Sequence, residues 1–329
     1  MCIICKNDSI PYNRLLTFAC SYIPRFLDFP PFQNVLILDV TYCPTIKQIS
    51  GFHGLLELDC SNCPSLKHIS QMNNLKKLWC HECPQLECIY DLCNLQKFCF
   101  SDCLLLESIP QLQNLMSLDC KRCPKIKQIP QLPNLEVVYC SDFASLEEIP
   151  HIHKLRILSC TLCPKLKYIP HFKNLTLLNC SDCPLIENIP YIQGLSALIC
   201  SNCPKLKQIP QFEELRKLSC DNCYHLTQIS HLKSLKFLDC RNCIMLESIP
   251  QLQNCTYIMC FRCPFLYIPY NYRVNNKILT SFGYKSNYRM IQLLRCVQQR
   301  YRRKVFARKI LNDIPGTISA INNLIISYG

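Results

Sequence analysis

From Pro11 to Pro269 the chain repeats itself every 20 residues, thirteen times, with one single-residue deletion in the last copy. A fixed period of this length is the mark of a stacked repeat architecture. Numbered from Pro11, the unit reads x-φ-x-N-L-x-x-L-x-C-S-x-C-P-x-L-x-x-I-P, where φ is apolar. Seven positions (2, 5, 8, 10, 13, 16 and 19) are apolar. A 20-residue unit cannot bury seven such side chains by itself, so the copies must stack. At roughly 4.8 Å per stacked strand, thirteen copies make a rod about 60 Å long.

Local structure follows from the pattern inside the unit. Positions 8 and 10 are apolar while 7, 9 and 11 vary, which is the alternation of a short, half-buried strand. Proline stands at position 14 in nine copies and at position 20 in nine. Such a segment cannot hold a regular helix, because proline lacks the donor and restricts the residue before it. An extended, polyproline-like return with turns is expected instead.

L-x-x-L-x-C-x-x-C-x-L, as in "LTLLNCSDCPLI" (175–186), resembles a leucine-rich repeat with cysteine in two of its usual slots. The short unit with Ile-Pro on its return is similar to the repeats of bacterial effector proteins, and the cysteines resemble the cysteine-containing subclass. The mixture also resembles repeat proteins of large DNA viruses of amoebae. The resemblance implies a right-handed α/β-type superhelical solenoid with a concave parallel sheet, and a non-catalytic role in binding proteins.

The nine in-phase Cys-x-x-Cys pairs, from Cys60/Cys63 to Cys260/Cys263, invite a metal reading. The exceptions argue against it. Val40 and Phe100 replace cysteine at position 10, Ile23 and Phe143 at position 13, each without its partner changing. A zinc site losing a thiolate would show His or Asp, or lose both ligands. These slots ask for apolar volume, and free cysteine is a small, readily buried hydrophobe. Disulfides between stacked copies would need Cβ vectors that converge, whereas in-register copies keep them parallel. Cys2 and Cys5 form one further pair outside the repeat phase. No metal and no cofactor is expected.

Residues 1–10 read as an N-terminal cap fragment, 11–269 as the repeats and 270–329 as a basic helical cap. From 271 onward eleven Lys/Arg stand against one acid, Asp313, so this segment carries +10 of the chain's net +13. Met290, Leu294, Val297, Tyr301 and Val305 recur at helical spacing, and Pro315 and Gly316 end the pattern. Arg295, Arg300, Arg302, Arg303, Lys304, Arg308 and Lys309 supply a basic face suited to RNA, anionic lipid or an acidic protein. "VQQRYRRKVFARKI" also resembles a calmodulin-binding IQ segment at Val297, Gln298 and Arg302, but departs from it at Arg303 and Ala307. The start lacks the charged and apolar regions of a secretory signal, and no run of about 18 apolar residues spans a membrane. A reducing, cytoplasmic location is expected, in the host cell for a viral protein, with the chain a monomer.

The eight histidines are spread over five repeat positions (1, 3, 11, 15 and 18), and no phosphate-cradling glycine loop is present. Cys296, the only cysteine from 271 onward, sits among arginines that could lower its pKa, but such a residue more often belongs to a helical apolar stripe. The chain reads as no enzyme. Its binding residues should lie on the outward strand positions. Val137, Ile157, Leu177 and Ala197 occupy position 7 in four consecutive copies, with Tyr139 and Ile199 at position 9 beside them. Ser141, Thr161, Ser181 and Ser201 offer a hydroxyl row along position 11. A protein partner is expected on this stripe, and the alternative is a nucleic-acid or anionic-lipid ligand on the basic tail.

Overall fold

The computed structural model describes residues 17–19, 34–90, 92–250 and 252–266. The expected N-terminal cap, the tail helix and the basic residues from Arg295 to Lys309 lie outside them. Positions 7–9 of all thirteen copies form strands, which pair in sequence order as one parallel sheet. The register never slips: Leu38 pairs with Leu58, Leu158 with Leu178, and Leu238 with Ile258. Each position of the unit therefore becomes a column along the solenoid. This is the leucine-rich-repeat architecture, a parallel-sheet solenoid.

All seven apolar columns are interior. In the copy from Phe52 to Ile69, the side chains Phe52, Leu55, Leu58, Cys60, Cys63, Leu66 and Ile69 are at most 3% exposed. Two reverse turns close the unit. Position 16 donates its N–H to the carbonyl of position 13, as in Leu66 to Cys63 and Leu226 to Cys223, both 3.1 Å. This puts the position-14 proline at the second residue of a β-turn, where its fixed φ is already correct. Position 5 closes the second turn on position 2, as in Leu75 to Met72 at 3.2 Å.

Between strand and first turn, position 12 takes a left-handed conformation in twelve copies, Tyr42 to Arg262, with φ between 49° and 60°. Only glycine adopts this region freely, and asparagine and aspartate tolerate it best among the rest. Seven of the twelve are Asn or Asp: Asn62, Asp102, Asp142, Asp182, Asn202, Asn222 and Asn242. The turned N–H donates to the position-11 carbonyl of the following copy, as in Asp182 to Ser201 at 2.9 Å.

The return side is extended with turns, and it pairs into a second sheet only in places. Two-residue strands appear at Gln48–Ile49, His68–Ile69 and Cys88–Ile89, and again at Gln208–Ile209 and Gln228–Ile229. Their ladders use the N–H of position 20: Ser70 donates to Ile49 (3.0 Å), Tyr90 to Ile69 (3.1 Å) and Ser230 to Ile209 (3.1 Å). From Pro110 to Pro190 position 20 is proline, which has no N–H, and no second sheet forms there. Among the described residues no helix is long and apolar enough to cross a membrane.

Candidate interaction surface

The cysteines fill core columns, and at position 13 they do more than fill volume. The thiol there donates to the position-10 carbonyl of the preceding copy. Cys63 reaches Val40 at 3.2 Å, Cys183 reaches Cys160 at 3.1 Å, and Cys243 reaches Cys220 at 3.0 Å. Cys123, Phe143 and Cys163 lack this bond. At those three junctions the paired strands run on to position 11, from Lys97–Ser101 through Ile157–Thr161. The strands extend as far at the junction before, Lys77–His81 with Lys97–Ser101, where Cys103 also reaches Cys80 at 3.2 Å.

Asparagine does form a ladder, in a column the sequence reading left unassigned. At position 4 Asn74, Asn94, Asn114, Asn134, Asn174 and Asn254 donate to the position-3 carbonyl of the copy before, at 2.7–2.9 Å. The recurring N-L of the consensus was the visible signal.

Burial pushes the Cys63, Cys80, Cys83 and Cys260 thiols up to about 12, and those of Cys120, Cys140 and Cys160 well above the ordinary range. Thiolate is the form that attacks electrophiles and binds metals, so these groups are held in their unreactive state. Among the described residues no group of three or more His, Cys, Asp or Glu is placed to hold a metal. His68 Nδ1 lies 3.1 Å from Cys88 Sγ, His81 Nδ1 lies 3.2 Å from Ser101 Oγ, and His225 Nδ1 meets the Pro204 carbonyl at 2.6 Å. These three histidines meet three different partners, and His151 and His153 meet each other edge-on at 4.7 Å.

On the solvent face of the large sheet, Val137, Ile157, Leu177 and Ala197 stand side by side in adjacent strands, all half-buried. Tyr139, 39% exposed, flanks one end of this row. Ile199 flanks the other, and Ser159 and Asn179 lie between them in the same column. The hydroxyl row is not open as expected. Thr161 donates to Ser141 at 2.9 Å, Ser181 to Asn179 at 2.8 Å, and Ser201 to Asp221. Asp39, Asp59 and Asp239 at position 9 likewise turn to the backbone, accepting from the N–H of Thr41, Ser61 and Arg241. Asp239, 4% exposed, is also clamped by Arg241 through two bonds of 2.8 and 2.7 Å.

The apolar row is bracketed by cations. Lys97 lies 5.8 Å above the Trp79 ring, and Lys217 lies 5.7 Å above Phe237, which stacks on Tyr257 at 5.1 Å. The face thus presents an uncharged centre, with aromatic-backed lysines beyond each end.

No family model matches the chain, and no curated protein matches it. Solved structures do. A leucine-rich repeat protein from Eubacterium ventriosum shares 12% identity, with TM-score 0.33 over 73% of this chain and 79% of that one. A leucine-rich cell surface protein from Faecalibacterium prausnitzii shares 16%, with TM-score 0.27 over 70% and 72%.

Proposed function

We propose that the chain is a non-catalytic scaffold that binds a protein partner on the solvent face of its large sheet. The observation that carries this is the in-register row Val137–Ile157–Leu177–Ala197, flanked by Tyr139 and Ile199. Core columns specify stacking alone, so a run of apolar side chains in an outward column has no structural duty, and such a patch suits an interface core. Thiol protons engaged as hydrogen-bond donors support a reducing compartment, since a disulfide would remove them. The compositional likeness to amoebal-virus repeats would make that compartment the host cytoplasm.

The test is affinity capture from the native cell. Ile157→Asp/Leu177→Asp should leave the thermal midpoint within a few degrees of wild type, because neither side chain is interior, and should abolish capture. A double variant that folds and captures the same partner would place the function elsewhere.

A second reading rests on charge alone: the segment from 271 holds +10 of the net +13. Binding of RNA or anionic liposomes through Arg295, Arg300, Arg302, Arg303, Lys304, Arg308 and Lys309 should then weaken steeply with salt. It should also vanish when the chain is truncated after Tyr270.

A further inference from the structure

We infer that the occupant of this face is an amphipathic α-helix of about 20 residues, apolar along one stripe and acidic near its two ends. The inference rests on the binding face proposed above and specifies the chemistry that fits it.

Spacing decides between helix and extended chain. Neighbouring strands of the sheet stand about 4.8 Å apart, and successive turns of a helix are 5.4 Å apart. Over the three steps from Val137 to Ala197 the two drift by only about 2 Å. Alternate side chains of an extended peptide repeat at about 6.8 Å and would drift by about 6 Å over the same row.

Hydrogen bonding points the same way. An extended ligand needs partners for its backbone, but the hydroxyls beside the row are engaged within the protein: Thr161 with Ser141, Ser181 with Asn179, Ser201 with Asp221. A helix satisfies its own backbone and asks only for apolar contact.

Charge sets the ends. Among the described residues no carboxylate lies within ion-pair distance of Lys97 or Lys217, although neighbouring lysines do pair, Lys77 with Glu57 at 2.8 Å and Lys121 with Asp119 at 3.4 Å. Lys97 and Lys217 are six strands apart, about 30 Å, which is the length of about 20 helical residues. Acidic groups near both ends of the helix answer the two cations, and at its C-terminal end the negative pole of the helix dipole adds to the effect. The chain's own basic tail has the wrong sign for this place.

The experiment is selection from a display library of random peptides of about 24 residues, long enough for such a helix. The full chain serves as bait, and Ile157→Asp/Leu177→Asp as counter-bait. Enriched peptides should show apolar residues at i, i+4, i+7 and i+11 with Asp or Glu near both ends. Their affinity should fall about tenfold on Lys97→Glu/Lys217→Glu and less on Lys97→Gln/Lys217→Gln, as two exposed charge contacts allow. Unchanged thermal midpoints would show that these exposed-site variants fold. Enrichment of period-two or basic-ended peptides, no enrichment at all, or indifference to both lysine variants would overturn the helix while leaving the face proposal standing. Peptides that bind the double-aspartate bait equally well would overturn the face and the helix together.

Discussion

At the scale of single residues, the two cysteine columns look alike in sequence and differ in duty. Cys180 fills volume, whereas Cys183 also satisfies the Cys160 carbonyl at 3.1 Å. Cys180→Val should therefore cost no more than about 1 kcal/mol, since volume is nearly retained. Cys183→Val should cost about 1–2 kcal/mol, because a buried carbonyl is left short of its donor. Leu178→Ala, which opens a cavity, should cost about 2–5 kcal/mol. Urea unfolding of the three variants measures the order, and equal losses at Cys180 and Cys183 would deny the thiol its donor role. Position 12 offers a gain. Leu162 holds a left-handed φ of 56° that suits asparagine, present at Asn202, Asn222 and Asn242. Leu162→Asn should stabilise by about 0.5–1 kcal/mol through relief of backbone strain, read as a rise in denaturation midpoint.

At the scale of elements, one backbone donor decides whether the return side forms a sheet. Ser70 N donates to the Ile49 carbonyl at 3.0 Å, next to the paired strands Gln48–Ile49 and His68–Ile69. Ser70→Pro removes that donor from a ladder edge, and should cost about 1–3 kcal/mol. Hydrogen exchange should quicken at His68 and Tyr90 while the amides of Lys77–His81 keep their protection. Loss of protection in the large sheet as well would show that the two sides of a repeat are not separable. The strands of the large sheet extend to position 11 across the three junctions where no position-13 thiol serves the carbonyl, and across one where Cys103 does.

At the scale of the molecule, the buried thiols tie stability to pH. Burial favours the neutral form, so Cys63, Cys80, Cys83 and Cys260 titrate near 12 in the folded chain against an ordinary 9.0. A raised folded value means the folded state holds its protons longer. Stability is therefore complete below pH 9 and declines as pH climbs from 9.0 toward 12. Because raised thiols recur along position 10 from Cys60 to Cys260 and each copy leans on its neighbours, the loss should be one steep alkaline transition by circular dichroism. Replacing several position-10 cysteines by valine should move it to higher pH. A midpoint indifferent to those replacements would assign alkaline unfolding to lysine and tyrosine instead.

The repeat by itself determined the solenoid, its seven interior columns and the outward row from Val137 to Ala197. Period and apolar spacing are read directly from the chain, and strict register follows from copies of equal length. Tertiary structure decided what each polar group does. The hydroxyls of Thr161, Ser181 and Ser201 and the carboxylates of Asp39, Asp59 and Asp239 look like an open binding row in sequence. In the fold they are engaged by neighbours two residues away or one copy away. The donor role of the Cys183 thiol was hidden for the same reason. Burying apolar groups needs only their placement on one side. A hydrogen bond needs a donor and an acceptor within about 3 Å, and that distance is set here by the local turn two residues away or by a copy some 20 residues away that comes close only when the copies stack.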